Sequence, residues 1–233
     1  MFEKDYELRY GDTDINGNIK KSSVMELLQD VSISHANHVG LDSKKLKSVS
    51  VACLLAGWRI KFINTINREK KVTVKTGIMK ITKCEAFRKY EIWQDGECVV
   101  IATAIWFTVN TEKMRVARVV EELFTVFESV TEEGNNLPCE KFVQVENTEF
   151  AGKTVVEKRD LDTNNHMNNV KSVEVALNYM PENFEFSEIQ VKYRKELKED
   201  EVIEIYRKVC DDSVYFEIKN ENNQECVLVY VSR

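Results

Sequence analysis

Residues 159–181 read RDLDTNNHMNNVKSVEVALNYMP and open with three polar side chains at alternate positions. Asp162, Asn164 and His166 are two residues apart, and in an extended chain they would face the same side, roughly 6.5–7 Å from one to the next. The spacing therefore predicts one wall that carries a carboxylate, a carboxamide and an imidazole.

A helix signature follows this triplet. Asn168 and Asn169 are suitable N-terminal caps, and Pro181 is a stop signal. Apolar residues recur at helical spacing between them: Val170, Val173, Leu177 and Met180. The first turn of a helix leaves backbone N–H groups without intrahelical partners, and such donors beside titratable groups suit attack on a carbonyl.

The same order of features occurs 148 residues earlier, where residues 11–30 read GDTDINGNIKKSSVMELLQD. Four residues are identical in the two copies: Asp12, Asp14, Asn16 and Glu26 match Asp160, Asp162, Asn164 and Glu174. In the first copy Ser23 and Glu26 form a capping-box pattern, and Gly40 stands where a C-terminal cap belongs. The apolar stripe of this helix is Val24, Leu27, Leu28, Val31 and Val39.

Strand patterns follow each predicted helix. They fall near residues 51–63, 71–82, 84–94 and 97–109 in the first half, and near 189–196, 200–209, 213–219 and 225–231 in the second. Short strands near 4–10 and 141–158 precede the helices, residues 117–130 have a helical pattern, and Asp95-Gly96 predicts a hairpin turn. This order predicts an α+β fold of two domains, residues 1–130 and 139–233, joined by a linker at 131–138.

Composition excludes several classes of protein. The chain has 233 residues, of which 43% are hydrophobic and 31% charged, so it is globular and not disordered. A net charge of −6 argues against a nucleic-acid binder. There is neither a signal peptide nor an apolar run of about 20 residues, which predicts a cytoplasmic protein with no membrane insertion. The 6 cysteines include no CxxC pair, which favours reduced thiols over disulfides or a zinc site.

The two copies differ at one position that matters for chemistry. His166 corresponds to Asn18, and a carboxamide cannot exchange protons near neutral pH, whereas an imidazole with a pKa of about 6.5 can. We therefore place any chemistry in the second half and expect the first half to shape a pocket. The alternative interpretation is that both triplets are simply turn and cap residues.

The segment DLDTNNHMNNVK, residues 160–171, resembles the signature of acyl-acyl carrier protein thioesterases, which release free fatty acids from fatty-acid synthesis. Trp58, IWFTVN (105–110) and VKYRKEL (191–197) resemble further landmarks of that family, so the similarity spans nearly the whole chain. The resemblance implies tandem hotdog domains, each with a long central helix wrapped by a curved antiparallel sheet. It also implies substrate binding by Trp58 and Trp106, and catalysis by Asp162, Asn164, His166 and Glu196.

The implied partner is an acyl carrier protein that carries a fatty acyl thioester, with no cofactor or metal and with the enzyme as a monomer or homodimer. Plant members have a cysteine directly after the glutamate, where this chain has Leu197, so a thiol mechanism at that position is excluded. Plant members also carry a plastid transit segment, and a chain without one fits a bacterial enzyme. A carrier protein is acidic, so a basic cluster could dock it; the candidates are Lys44, Lys45 and Lys47; Arg68, Lys70 and Lys71; and Arg194 with Lys195.

Two mechanisms stay open at this point. Either Glu196 or Asp162 is the general base on water with His166 passing the proton, or the Asp162 carboxylate attacks the thioester directly. Three other functions compete: an acyl-CoA thioesterase of the same fold, a hotdog hydratase, and a non-catalytic acyl-binding module. The hydratase is disfavoured because its D-x-N-P-x-H pattern has a proline and one more residue before the histidine. His35 and His38 could share a metal, but packing of the first helix is the favoured interpretation.

Overall fold

The computed structural model describes residues 1–113, 115–116, 126–127, 129–131, 134–135, 137–138 and 142–233. Residues 117–125 and 128 of the helix predicted at 117–130 lie outside these residues. The chain divides into two compact units. Unit 1 comprises Met1–Ala56 with Ile60–Cys139, and unit 2 comprises Gly57–Arg59 with Glu140–Arg233.

Unit 1 is an antiparallel sheet packed on one long helix, with the strand order β1-β3-β4-β5-β2 and β6 paired to β5. Its elements in chain order are β1 (Phe2–Tyr6), a 3-10 turn (Tyr10–Asp12), α1 (Lys21–His38), α2 (Ser43–Ser48), β2 (Val51–Phe62), β3 (Val72–Ile81), β4 (Glu85–Gln94), β5 (Glu97–Asn110) and β6 (Arg115–Val116). α1 buries Val24, Met25, Leu28 and Val31 in the core and contacts β3 and β4.

Unit 2 has the same arrangement of an antiparallel sheet packed on a helix, but its helix is shorter. Its strand order is β8-β11-β10-β9-β7, and neighbouring strands are antiparallel. Its elements are β7 (Glu149–Val155), a 3-10 turn (Lys158–Asp160), α3 (Asn169–Leu177), β8 (Glu188–Tyr193), β9 (Val202–Val209), β10 (Ser213–Asn220) and β11 (Glu225–Ser232). α3 buries Val170, Val173 and Ala176, and it packs on β10 and β11.

The strands predicted after each helix agree with those of the structure to within a few residues, and the hairpin predicted at Asp95-Gly96 is confirmed. Both turn residues have positive φ, 52° and 84°, as a two-residue hairpin loop requires. The strands predicted before the helices differ more: the one near 4–10 lies at Phe2–Tyr6, and the one near 141–158 is limited to Glu149–Val155. β8 is shorter than predicted and ends at Tyr193, because the N–H groups of Arg194 and Lys195 both turn to the carbonyl of Cys226. Glu196 therefore lies beyond the strand.

The predicted helix ends need two corrections. α1 begins at Lys21, and Ser23 is a buried residue of its first turn instead of a cap. The entry of the chain is set by the N–H of Lys20, which donates to the carbonyl of Asp12 at 2.9 Å, so the capping-box pattern is overridden. α3 ends at Leu177, and Met180 lies in the turns that follow. No helix among the described residues is long and apolar enough to span a membrane.

Candidate active site

The triplet Asp162, Asn164 and His166 lies on a tight loop, so the prediction of an extended wall is wrong. The N–H of Asp162 donates to the carbonyl of His166 at 2.8 Å, and Leu161 and Met167 form an isolated bridge that closes the loop. Asn165 has a φ of 62° and reverses the chain. The reason is the aspartate: its Oδ1 accepts from the N–H of Asn164 at 2.8 Å and of His166 at 3.4 Å, which is turn chemistry.

Unit 1 contains the same loop, with the same bonds from backbone N–H groups, at Asp14, Asn16 and Asn18. The N–H of Asp14 donates to the carbonyl of Asn18 at 2.8 Å. Oδ1 of Asp14 accepts from the N–H groups of Asn16 and Asn18, each at 2.9 Å. Gly17, with a φ of 81°, takes the place of Asn165. Both aspartates therefore build the loop, whether or not an imidazole follows.

The loop in unit 2 adds a pair of side chains that unit 1 lacks. Nε2 of His166 lies 3.2 Å from Oε2 of Glu196. The contact follows from the backbone, because the N–H of Met167 donates to the carbonyl of Leu197 at 2.7 Å and both of these side chains are buried. The side chains of His166 and Glu196 are 27% and 49% exposed. The backbone contact therefore fixes the positions of the two residues, while part of each side chain stays accessible to a substrate.

The start of α3 lies directly after this loop and is capped. Oδ1 of Asn168 accepts from the N–H of Val170 at 2.8 Å, which confirms the predicted cap. The hydroxyl of Tyr193 donates to the carbonyl of Asn169 at 3.1 Å and ties β8 to the helix. Burial raises the pKa of Tyr193, so the phenol stays protonated as this bond requires. Sequence reasoning did not identify Tyr193, although VKYRKEL contains it.

The remaining predicted site residues lie in three different settings. Asn164 is exposed, and its Nδ2 lies 3.3 Å from Oδ2 of Asp162. Trp58 is buried and groups with unit 2. Trp106 belongs to unit 1, where its partly buried ring packs against the cluster of Leu41, Ile78, Ala86 and Phe127 and its Nε1 donates to the hydroxyl of Tyr90 at 3.3 Å.

No cluster of three or more histidine, cysteine, aspartate or glutamate side chains in the described part of the chain could hold a metal ion. His35 points into unit 1, where its Nδ1 lies 3.0 Å from Nη1 of Arg88. His38 is exposed and its ring lies 5.3 Å from that of Phe2.

Comparison with known proteins extends over both units. A family model for the acyl-ACP thioesterase N-terminal domain matches residues 1–127, and one for the C-terminal domain matches residues 144–231. Oleoyl-acyl carrier protein thioesterase 2 of Arabidopsis thaliana, a chloroplast protein, is 23% identical over 226 residues, which is 87% of this chain and 61% of that protein. The chain thus spans less than two thirds of the length of this curated relative.

Solved structures share the fold. An acyl-ACP thioesterase from Bacteroides thetaiotaomicron has a TM-score of 0.89 at 15% identity and covers 99% of this chain and 96% of its own. The 12:0-ACP thioesterase from Umbellularia californica has a TM-score of 0.84 at 16% identity, with coverage of 99% and 96%. Since the two domain models together match nearly all of the sequence, the chain belongs to the acyl-ACP thioesterase family.

Proposed function

We propose that this protein hydrolyses the thioester of an acyl-acyl carrier protein and releases a free fatty acid, with His166 and Glu196 as the pair that activates water. The observation that carries the proposal is the 3.2 Å contact between Nε2 of His166 and Oε2 of Glu196 on a loop whose counterpart in unit 1 has no imidazole. Membership of the family, and the names of the relatives, support the substrate class.

The contact supports a direction for proton transfer. A neutral His166 that donates its Nε2–H to Glu196 keeps the lone pair of Nδ1, which accepts a proton from water as the water oxygen attacks the thioester carbonyl. The Glu196 carboxylate stabilises the imidazolium that forms, as the acidic member of a catalytic triad does. The tetrahedral intermediate then breaks its C–S bond, and the departing thiolate takes the proton back from the imidazolium.

Asp162 is a positioning residue in this scheme. Its carboxylate is occupied by two loop N–H groups and the Asn164 amide, and Asp14 makes the two backbone bonds in a loop without an imidazole. The same bonds disfavour Asp162 as the attacking nucleophile, because they stabilise its charge. Asn164 would orient the water or polarise the carbonyl. Backbone N–H groups in the first turn of α3 would hold the oxyanion, an interaction of roughly 3–4 kcal/mol for one donor.

The two units correspond to a proposed tandem of hotdog domains, residues 1–130 and 139–233. In each unit one helix, α1 or α3, packs on antiparallel strands of that unit, and the duplicated loop precedes that helix. The first domain would hold the acyl chain, because it has the longer helix and lacks the imidazole. Trp106 would contribute to the acyl-binding surface of this domain, which is supported by its partly exposed ring, whereas Trp58 is buried and groups with unit 2.

α2 is the proposed docking surface for the acidic carrier. Lys44, Lys45 and Lys47 are exposed on this short helix, and none has an acidic partner among the described residues. The other basic clusters are largely neutralised by ion pairs: Arg68 with Glu69, Lys70 with Asp95, Lys71 with Glu7, and Arg194 with Glu225. A free cationic surface predicts that the KM for a carrier-bound substrate rises with salt, whereas the KM for the CoA thioester changes little.

The test is a panel of thioesters assayed with the purified protein. Each acyl group is presented both on the acyl carrier protein and on CoA, and release of thiol is followed. We expect higher kcat/KM on the carrier for at least one chain length. Equal or higher kcat/KM on CoA for every acyl group would show that the substrate is an acyl-CoA instead of an acyl-acyl carrier protein. No hydrolysis of any thioester would contradict the proposed function.

A further inference from the structure

The first residue of α3 is held by a side chain from a different element. The hydroxyl of Tyr193, the last residue of β8, donates to the carbonyl of Asn169 at 3.1 Å. The hydroxyl of Ser172 donates to the same carbonyl at 2.8 Å, but this bond stays within one helical turn, as serine bonds in helices often do. Only the Tyr193 bond therefore fixes where the helix begins relative to β8.

The same two segments carry the proposed water-activating pair. Glu196 follows Tyr193 by three residues, and α3 begins three residues after His166. The N–H of Met167 donates to the carbonyl of Leu197 at 2.7 Å. Besides the His166–Glu196 contact, the segments are thus joined by one backbone bond and by the Tyr193 hydroxyl.

Tyr193 has an equivalent residue in unit 1. Phe62 is the last residue of β2, and the next two N–H groups both donate to one carbonyl, that of Val99, at 2.8 and 3.2 Å. The two N–H groups after Tyr193 both donate to the carbonyl of Cys226, at the same two distances. The two aromatic residues therefore occupy equivalent positions, and the residue in unit 1 has no hydroxyl.

The aromatic ring also meets the start of the helix in unit 1. Nζ of Lys21, the first residue of α1, lies 4.0 Å from the centre of the Phe62 ring, which is a cation–π contact. The fold thus accommodates an aromatic ring without a hydroxyl at this position. Unit 1 also differs at both members of the pair, since Asn18 and Thr65 stand at the positions of His166 and Glu196. The hydroxyl occurs in the unit that has the imidazole and the carboxylate.

We propose that Tyr193 is a positioning residue for thioester hydrolysis, an inference that rests on the proposed function. Its hydroxyl holds Asn169 so that the N–H groups in the first turn of α3 and the His166–Glu196 pair address one reacting carbonyl. A displacement of about 1 Å between reacting groups costs on the order of 100-fold in rate. Loss of the link should therefore lower kcat and leave KM unchanged.

The first measurement needs no substrate. Tyr193→Phe introduces the residue that unit 1 has at this position, and its hydrogen–deuterium exchange should be about tenfold faster than that of wild type in residues 169–173 and unchanged in β10. Tyr215→Phe is the matched control, because its hydroxyl contacts Glu217 at 3.4 Å instead of the helix, and its exchange in α3 should equal that of wild type. Unchanged exchange in α3 of Tyr193→Phe, or an equal increase in β10, would overturn the proposal whether or not the protein hydrolyses a thioester.

The second measurement is the rate of hydrolysis of an acyl-acyl carrier protein. Tyr193→Phe should lower kcat by about 10- to 100-fold with KM unchanged, and Tyr215→Phe should keep the wild-type kcat. Ser172→Ala removes the bond within the helix and should keep most of the activity; an equal loss in this variant would contradict a role of the link to β8. A wild-type kcat in Tyr193→Phe would overturn the positioning role alone, whereas a wild type that hydrolyses no thioester contradicts the proposed function.

Discussion

Replacement of Glu196 by glutamine separates the catalytic role of the His166–Glu196 pair from any role in folding. The side chains are 27% and 49% exposed, so their ground-state contact contributes only about 0–1 kcal/mol to stability, and Glu196→Gln should fold normally. The carboxylate matters when the imidazolium forms during attack. Across 3.2 Å, with an effective dielectric constant of about 40 for this half-exposed site, that attraction is about 2.6 kcal/mol.

This energy corresponds to a decrease of about 100-fold in kcat, within the range of general-base catalysis. The assay is thiol release from saturating acyl-acyl carrier protein, with unfolding followed in parallel. Glu199→Gln makes the same chemical change at an exposed position three residues away and should leave both kcat and stability unchanged. Because the two residues act as one unit, Glu196→Gln should cost almost nothing further in a His166→Ala background. A wild-type rate for Glu196→Gln, or additive losses in the double variant, would refute the pairing.

The remaining predictions concern the nucleophile, a buried histidine and a close backbone approach. In a single turnover in ¹⁸O-labelled water the label should enter the released fatty acid and not the Asp162 carboxylate; label in Asp162, found by mass spectrometry, would establish direct attack. The unfolding free energy should fall by about 2–3 kcal/mol between pH 6.5 and 4 relative to His35→Gln, because the unfolded chain binds a proton that buried His35, with a pKa of about 4, does not. Parallel denaturation curves for the two proteins would contradict this. Gly57→Ala should destabilise by about 1–3 kcal/mol, since a Cβ there would clash with the carbonyl oxygen of Val191; Gly11→Ala, which meets open space, is the control, and equal Tm values would be inconsistent with the clash.

Strand positions were predictable because alternation and turn chemistry are local properties. Asp95-Gly96 needs two residues with positive φ, which is a requirement of the turn itself. The start of α1 was not predictable in this way. Ser23 has a good capping side chain, but the bond from the Lys20 N–H to Asp12 fixes the chain entry, and Ser23 is left inside the helix.

The candidate site, too, could be predicted from the sequence only in part. The alternation of Asp162, Asn164 and His166 resembles a strand, yet the aspartate carboxylate folds the segment into a turn by binding its own N–H groups. Glu196 lies thirty residues from His166, and only the family resemblance pointed to it.

The central claim is tested most directly by the hydrolysis of one acyl-acyl carrier protein by wild type, His166→Ala and Asn18→Ala. The two substitutions lie at equivalent positions of the duplicated loop, and only one removes an imidazole. We predict that His166→Ala loses at least 100-fold in kcat with unchanged unfolding, while Asn18→Ala keeps the wild-type kcat. Equal rates for the two variants would contradict the account.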